Sequence, residues 1–338
     1  MRRVVIDTDA GVDDSIAIVY ASRLPDATIE LITTVSGNVP VSEVTQNVLY
    51  LKKILRLDAP VFSGAEAPRS RKLITAPEVH GKDGVGGYRK SKGISFPAWR
   101  TGGAAAAIVM AARKFGKKLT IISLGPMTNI AKAVSLDPAA VKGVGGIIQM
   151  GGAFSGYGNT TVFTEFNIFV DPEAASYVLK NGVKVTFVPL DLTETLFLPR
   201  NIVASLLVKA GVNWPELVPL LRKALNHYID YHRHADKLDG CFMHDPITVA
   251  AAVHPEWFRF TGSSVSIETK GKHTAGMTVA DFRKGAVLGN SRIAVSFDAL
   301  TFLGDLTGKV FGARIGRSAA GQSCLRRRFT ADFRNNLR

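Results

Sequence analysis

Apolar runs of strand length alternate with helix-length stretches over most of this chain, and that alternation leaves few folds open. The runs lie at 4–7, 29–35, 119–124, 145–150 and 185–190, and helical spacing is read at 13–23, 41–55, 103–115, 128–135 and 172–181. A strand that is apolar on both faces must be covered on both faces, and its parallel neighbour is reached only through a crossover, usually a helix. The expected fold is therefore α/β, a single domain with a mostly parallel, Rossmann-like central β-sheet flanked by helices. Beyond these units a long helical region is expected over about 201–236, another helix near Asp245, and strands at 265–268 and 293–297. No internal repeat and no linker rich in Pro, Ser or Gly divides the chain.

The first run ends in charge. Val4-Val5-Ile6 leads into Asp7, Asp9, Asp13 and Asp14, with Gly11 between them to let the backbone turn and a helix beginning at Asp13. One or two of these aspartates are explained as helix caps, which satisfy free N–H groups and the positive end of the helix dipole. Four are not, because clustered carboxylates at a buried strand end repel unless a cation neutralises them. In open α/β sheets ligands sit outside the carboxyl ends of the strands, so a hard, oxygen-bound ion such as Ca²⁺ or Mg²⁺ is expected there. Asp7-Thr8-Asp9 also fits an aspartate-nucleophile phosphatase, and this segment by itself leaves both chemistries open.

The remainder of the composition narrows the class. With 338 residues, 46% of them hydrophobic and 21% charged, the chain can bury a large core. No run approaches the roughly 18 apolar residues of a membrane span. No apolar leader precedes the first strand, and two cysteines, Cys241 and Cys324, make no disulfide framework, so a reducing cytoplasm is expected. The net charge of +14 invites nucleic acid as a partner, yet residues 314–338 hold seven arginines against one acid, Asp332. Much of the rest sits in a loop-like segment, Arg69 to Arg100, and no zinc-finger spacing or aromatic RNA-binding motif accompanies it. A nucleic-acid-binding or non-catalytic nucleoside-binding protein is thus the lesser reading. The tail from 313 shows no amphipathic period and is expected to be loosely held.

Polar clusters recur where strands should end. Ser36-Gly37-Asn38 follows the second run, Leu124-Gly125-Pro126-Met127-Thr128-Asn129 closes the third, and Met150-Gly151-Gly152 closes the fourth. Asn159 and Glu165-Phe166-Asn167 follow in a long loop, and His244-Asp245-Pro246 opens a late helix. A parallel sheet would bring these groups to one crevice. Cys241 and His244 are spaced as zinc ligands could be, but two ligands do not make a zinc site.

Taken in order, these motifs, with His80–Gly84 and Asp171-Pro172, resemble the inosine–uridine nucleoside hydrolase family from the N-terminus to about residue 312; Ala10 stands where a proline is frequent. The resemblance implies a catalytic domain over 1–312 that cleaves ribonucleosides with water, and one Ca²⁺ per chain. It implies Asp9 as metal ligand and general base, with Asp14, Asp245 and the Leu124 carbonyl completing the protein ligands. Asp13 would take the ribose 2′-hydroxyl, Asn167 a ring-face hydroxyl, Asn159 and Glu165 the 5′-hydroxyl, and Asn38 the water and ribose edge. Met150 and Phe166 would wall the sugar. His244 would protonate the leaving base, with His80 a further contact on the first long loop. His227, His232, His234, Tyr228 and Tyr231 lie on the long helical region, where some would face the base. A homodimer or homotetramer is implied as well.

Overall fold

The computed structural model describes residues 1–96, 103–155, 157–283 and 289–326. Six parallel strands form the body of one sheet: β1 (Arg2–Thr8), β2 (Ala27–Thr34), β3 (Val61–Ser63), β4 (Leu119–Ser123), β5 (Gly146–Met150) and β6 (Val185–Val188). Their spatial order is β3-β2-β1-β4-β5-β6, continued by Ser291–Phe297 and by Phe258–Ser263 at the edge. Only this last pairing is antiparallel. The chain leaves β1 toward β2 and later returns to β4 on the other side, so the seam between β1 and β4 is the switch point at which a crevice opens.

Burial explains the apolar runs. Val4 and Ile6 face one core cluster and Val5 the other, as the two-residue period of a strand requires, and all three are fully buried. The helix α1 (Val12–Ser22) is buried on every side from Val12 to Ala21, enclosed by the sheet and the helices His244–Val253 and Ala299–Phe311. Beyond its acidic first turn the helix is apolar on every side from Ile16 to Val19, as a core helix is.

Several expectations need adjusting. The long helical region is two helices, Arg200–Asn213 and Val218–Ala235, because Pro215 forces Trp214 out of helical geometry. The fifth run stops at Val188, where Pro189 removes a ladder donor and a short helical turn, Leu190–Thr193, begins. Val265–Ile267 pairs with Thr278–Ala280 in a separate ribbon, not in the main sheet.

The described part of the tail makes contacts with the domain. Ser318 caps the turn Ala319–Gln322, Cys324 is fully buried, Phe197 donates its N–H to the Cys324 carbonyl at 2.8 Å, and Leu325 bridges Leu196. A single buried cysteine and a two-residue strand pairing leave no period for a sequence reading to detect. Arg327, Arg328, Arg334 and Arg338 lie outside the described residues, as do positions 97–100 of the basic loop. Among the described residues no helix is long and apolar enough to cross a membrane.

Candidate active site

The loop after β1 is held by its own side chains. Asp14 takes the Thr8 hydroxyl on one oxygen and, on the other, the Gly11 N–H at 2.9 Å and the Asn38 amide at 3.2 Å. It thereby caps the helix it belongs to, as the plain structural reading supposed. Gly11 was expected to make the turn, but the positive φ of 35° falls on Ala10, and Gly11 lies at −75°. Glycine is needed at 11 for room: a Cβ there would stand 2.5 Å from Asn38 Nδ2 and 2.7 Å from His80 Nδ1. Asp9 is gripped in the same way. A Cβ at Gly37 would meet its Oδ2 at 2.0 Å, and one at Gly125 its Cγ at 3.0 Å. Its Oδ2 accepts the Asn38 N–H at 2.8 Å, while its buried Oδ1 has no hydrogen-bond partner among the described residues.

Two helix starts meet beside it. The first turn of α1 carries Asp13 and Asp14, the neighbouring helix His244–Val253 carries Asp245, and these three buried carboxylates present oxygens within 4.8 Å of one another. Two negative charges at that distance repel by roughly 3–4 kcal/mol even at an effective dielectric of about 20. Protonation is accordingly favoured. Burial and then the charge of Asp14 raise Asp13 to about 8, and the same two causes raise Asp9. Burial, then Asp13 and Asp14, raise Asp245. The orphaned Asp9 oxygen and the all-oxygen donor set fit a hard divalent cation, which would keep these carboxylates ionised. They do not fit zinc. Cys241 is fully buried with its thiol pushed up by burial, and His244 Nδ1 is paired with the Thr193 hydroxyl at 2.7 Å.

Above the carboxylates opens a cavity of about 740 Å³. Asp13, Asn38, Leu124, His244 and Asp245 line it, with Asp9 and Asp14 buried outside the lining. Met150, Asn159, Glu165, Phe166, Asn167 and His80 line it too, so every residue singled out for substrate binding reaches one space. Asn167 donates to the Leu124 carbonyl at 2.7 Å and the Met150 carbonyl at 3.1 Å, which leaves its amide oxygen to accept from a ligand. Glu165 accepts the N–H groups of Asn167, Ile168 and Gly152, at 2.8, 3.1 and 3.2 Å, and burial raises it to about 7. Asn159 is exposed at the rim, its oxygen accepting the Phe166 N–H at 3.0 Å.

Asp7, the nucleophile of the phosphatase reading, is absent from the lining. It is fully buried and accepts from Thr33 at 2.6 Å and Asn129 at 2.7 Å. Asn129 also binds the Thr34 carbonyl and the Ala65 N–H, tying three strand ends together. Asp171 is likewise structural: it caps the helix Pro172–Lys180 and takes the Thr128 hydroxyl at 2.6 Å.

The chain has known relatives. The sequence model of the inosine-uridine preferring nucleoside hydrolase family matches residues 4–304. The chain belongs to that family. It is 36% identical over 281 residues to "Probable uridine nucleosidase 2" of Arabidopsis thaliana, covering 82% of this chain and 85% of that protein. It is 35% identical over 303 residues to the non-specific ribonucleoside hydrolase RihC of Salmonella agona, covering 87% and 93%. The solved purine-preferring ribonucleoside hydrolase from Gardnerella vaginalis superposes with a TM-score of 0.82 at 28% identity, covering 92% of this chain and 98% of that one.

This nucleoside hydrolase also lines the cavity with aromatic rings. Tyr228, Tyr231 and His232 line the cavity from one face of the helix Val218–Ala235, whereas His227 and His234 do not. The spacing of three and four residues was the available signal, but the break at Pro215 hid the helix register. His80 stacks on Tyr228 at 5.6 Å, and its Nδ1 accepts the Val12 N–H at 3.1 Å, so the neutral ring carries its proton on Nε2. Burial, then the charges of His232 and His227, lower it to about 3. Phe242 lies 5.5 Å from the His244 ring and 5.4 Å from that of His232. Thr193, which holds His244, and Arg326, which joins the lining from beyond the family match, gave no signal in the sequence.

Proposed function

We propose that this chain hydrolyses the N-glycosidic bond of ribonucleosides, releasing free base and ribose, with one Ca²⁺ per chain held by Asp9, Asp14, Asp245 and the Leu124 carbonyl. What supports the reading most is the meeting of the buried carboxylates with a cavity also lined by aromatic rings. A divalent cation there supplies the charge that keeps the carboxylates ionised and acidifies water in the pocket.

The chain's residues then divide the work. Breaking the bond leaves positive charge on the ribose ring, and negative side chains below the sugar stabilise it where it develops. Asp9, whose Oδ1 has no other partner, takes the proton of the attacking water. Asp13 and the free amide oxygen of Asn167 hold ribose hydroxyls and fix the anomeric carbon over that water. Asn159 and Glu165 receive the 5′-hydroxyl, with Met150 and Phe166 against the sugar. The bond's electron pair leaves with the base, which His244 protonates, oriented through Nδ1 by Thr193.

Incubation with inosine, uridine, adenosine and cytidine, followed by a reducing-sugar assay, tests the reading. Ribose is expected from at least one of them. No ribose from folded, Ca²⁺-supplied protein on a broad panel would sink it. We further infer a cytoplasmic homodimer or homotetramer; native mass spectrometry reads the assembly and the ion per chain together.

A further inference from the structure

We propose that Arg326, carried by the segment beyond the family domain, is a specificity-determining residue that selects bases presenting a carbonyl oxygen at the rim of the pocket. The family match ends at 304, and the chain then returns to the cavity. The Arg326 N–H donates to the Thr195 carbonyl at 2.9 Å, next to the bridge between Leu325 and Leu196. The guanidinium lies 5.6 Å from the lining ring of Phe242 and 5.2 Å from Phe197, which meets Phe242 edge to face at 5.2 Å outside the lining. Phe242 leads by ring contact to His244, so the cation stands on the side of the cavity assigned above to the leaving base. This inference rests on that reading of the site.

The selectivity follows from donor chemistry. A guanidinium has five N–H donors and no acceptor. Hypoxanthine and guanine offer it two adjacent acceptors, O6 and N7, whereas adenine replaces O6 with an amino donor. Uracil and cytosine differ in the same sense at position 4. As the bond breaks, negative charge moves into the departing base, and a carbonyl oxygen carries part of it toward Arg326. Inosine and uridine should therefore exceed adenosine and cytidine in kcat/KM.

The test compares the full-length enzyme with Arg326→Met, which keeps an apolar stem, and Arg326→Lys, which keeps the charge but not the fork. The inosine-to-adenosine ratio of kcat/KM should fall about tenfold or more in Arg326→Met, the scale of a charge-assisted hydrogen bond. Arg326→Lys should fall in between. Equal losses on both substrates, or an unchanged ratio, would overturn the proposal. Equilibrium binding of free hypoxanthine and adenine reads the same contact without turnover: the wild type should favour hypoxanthine and Arg326→Met should not. A wild type that binds the bases with this preference but releases no ribose would defeat the hydrolase reading alone. The absence of any preference that Arg326 controls would defeat this one.

Discussion

The two ends of the cavity are built by different rules. At one end Asp13, Leu124 and Met150, with Asp9 buried outside the lining, stand at or just beyond the carboxyl ends of neighbouring strands, and Asp245 opens a helix packed on α1. Their positions follow from the sheet. At the other end Tyr228, Phe242 and Arg326 come from a helix, a short ribbon and the C-terminal segment, brought together only by packing, with Thr193 reaching the site through its bond to His244. Buried carboxylates define the first end, aromatic rings and the Arg326 cation the second.

The largest effect should come from the strand-end side. Asp9→Asn keeps an acceptor for the Asn38 N–H but loses the charge and the proton acceptor. It should cut kcat by about 10²–10⁴-fold, the range for a positioned acid or base. Asp14→Ala also removes the partner of Thr8, Gly11 and Asn38. That variant should lose the ion as well as activity, read by metal analysis of protein purified without chelator. Full occupancy in it would take Asp14 out of the ligand set, and near-normal turnover in metal-loaded Asp9→Asn would remove Asp9 as base.

This side was legible in the sequence because the information was local. An apolar run predicts the strand, its end predicts the crevice, and repeated Asp, Asn and Glu there predict an oxygen-rich site, while the role of each residue came only from the family resemblance. Even so, some details escaped: the φ of Ala10 and the roles of Gly37 and Gly125 as room for Asp9 depend on contacts across strands. The aromatic side was mostly illegible. His227 and His232 look alike in the sequence, and only the register set after Trp214 turns one into the cavity. The tail shows the same limit, since Arg326 is one of seven arginines until Cys324 is seen to be buried.

Next in size is His244→Ala, which separates the two ends by chemistry. It leaves the carboxylates intact, so losses of about 10²-fold or more are expected for inosine, whose base needs a proton to leave. A nitrophenyl riboside, with a phenolate that departs unaided, should lose far less. Equal losses on both would make His244 a support for Asp245.

The junction between the ends can be probed by pH. His80 titrates near 3 in the folded protein against about 6.5 when solvated, because burial and neighbouring histidines oppose its charge. Between those values the unfolded chain binds a proton that the folded chain lacks, so stability falls as pH drops through 6.5 toward 3. Glu165, raised from 4.5 to about 7, acts oppositely, its folded state holding the extra proton between those values. The His80 share must therefore be read as a difference. Relative to His80→Phe, the wild type should lose about 2 kcal/mol in urea unfolding from pH 6.5 to 5. Parallel curves would show a solvated His80.

The smallest effect expected is that of Thr193→Val, and it tests whether the aromatic side acts through His244 at all. Valine keeps the shape of threonine and removes the hydroxyl that sits 2.7 Å from His244 Nδ1. One neutral hydrogen bond corresponds to a change of about two- to tenfold. If the hydroxyl orients the imidazole toward the leaving base, that loss should appear in kcat for inosine, with KM little changed and the nitrophenyl riboside spared. It should also vanish in the His244→Ala background, where there is no ring left to orient, and the double-mutant cycle makes this explicit. A loss that persists in that background would place the hydroxyl's influence in the packing of the turn Leu190–Thr193, with the ring held by the aromatic stack around Phe242 alone.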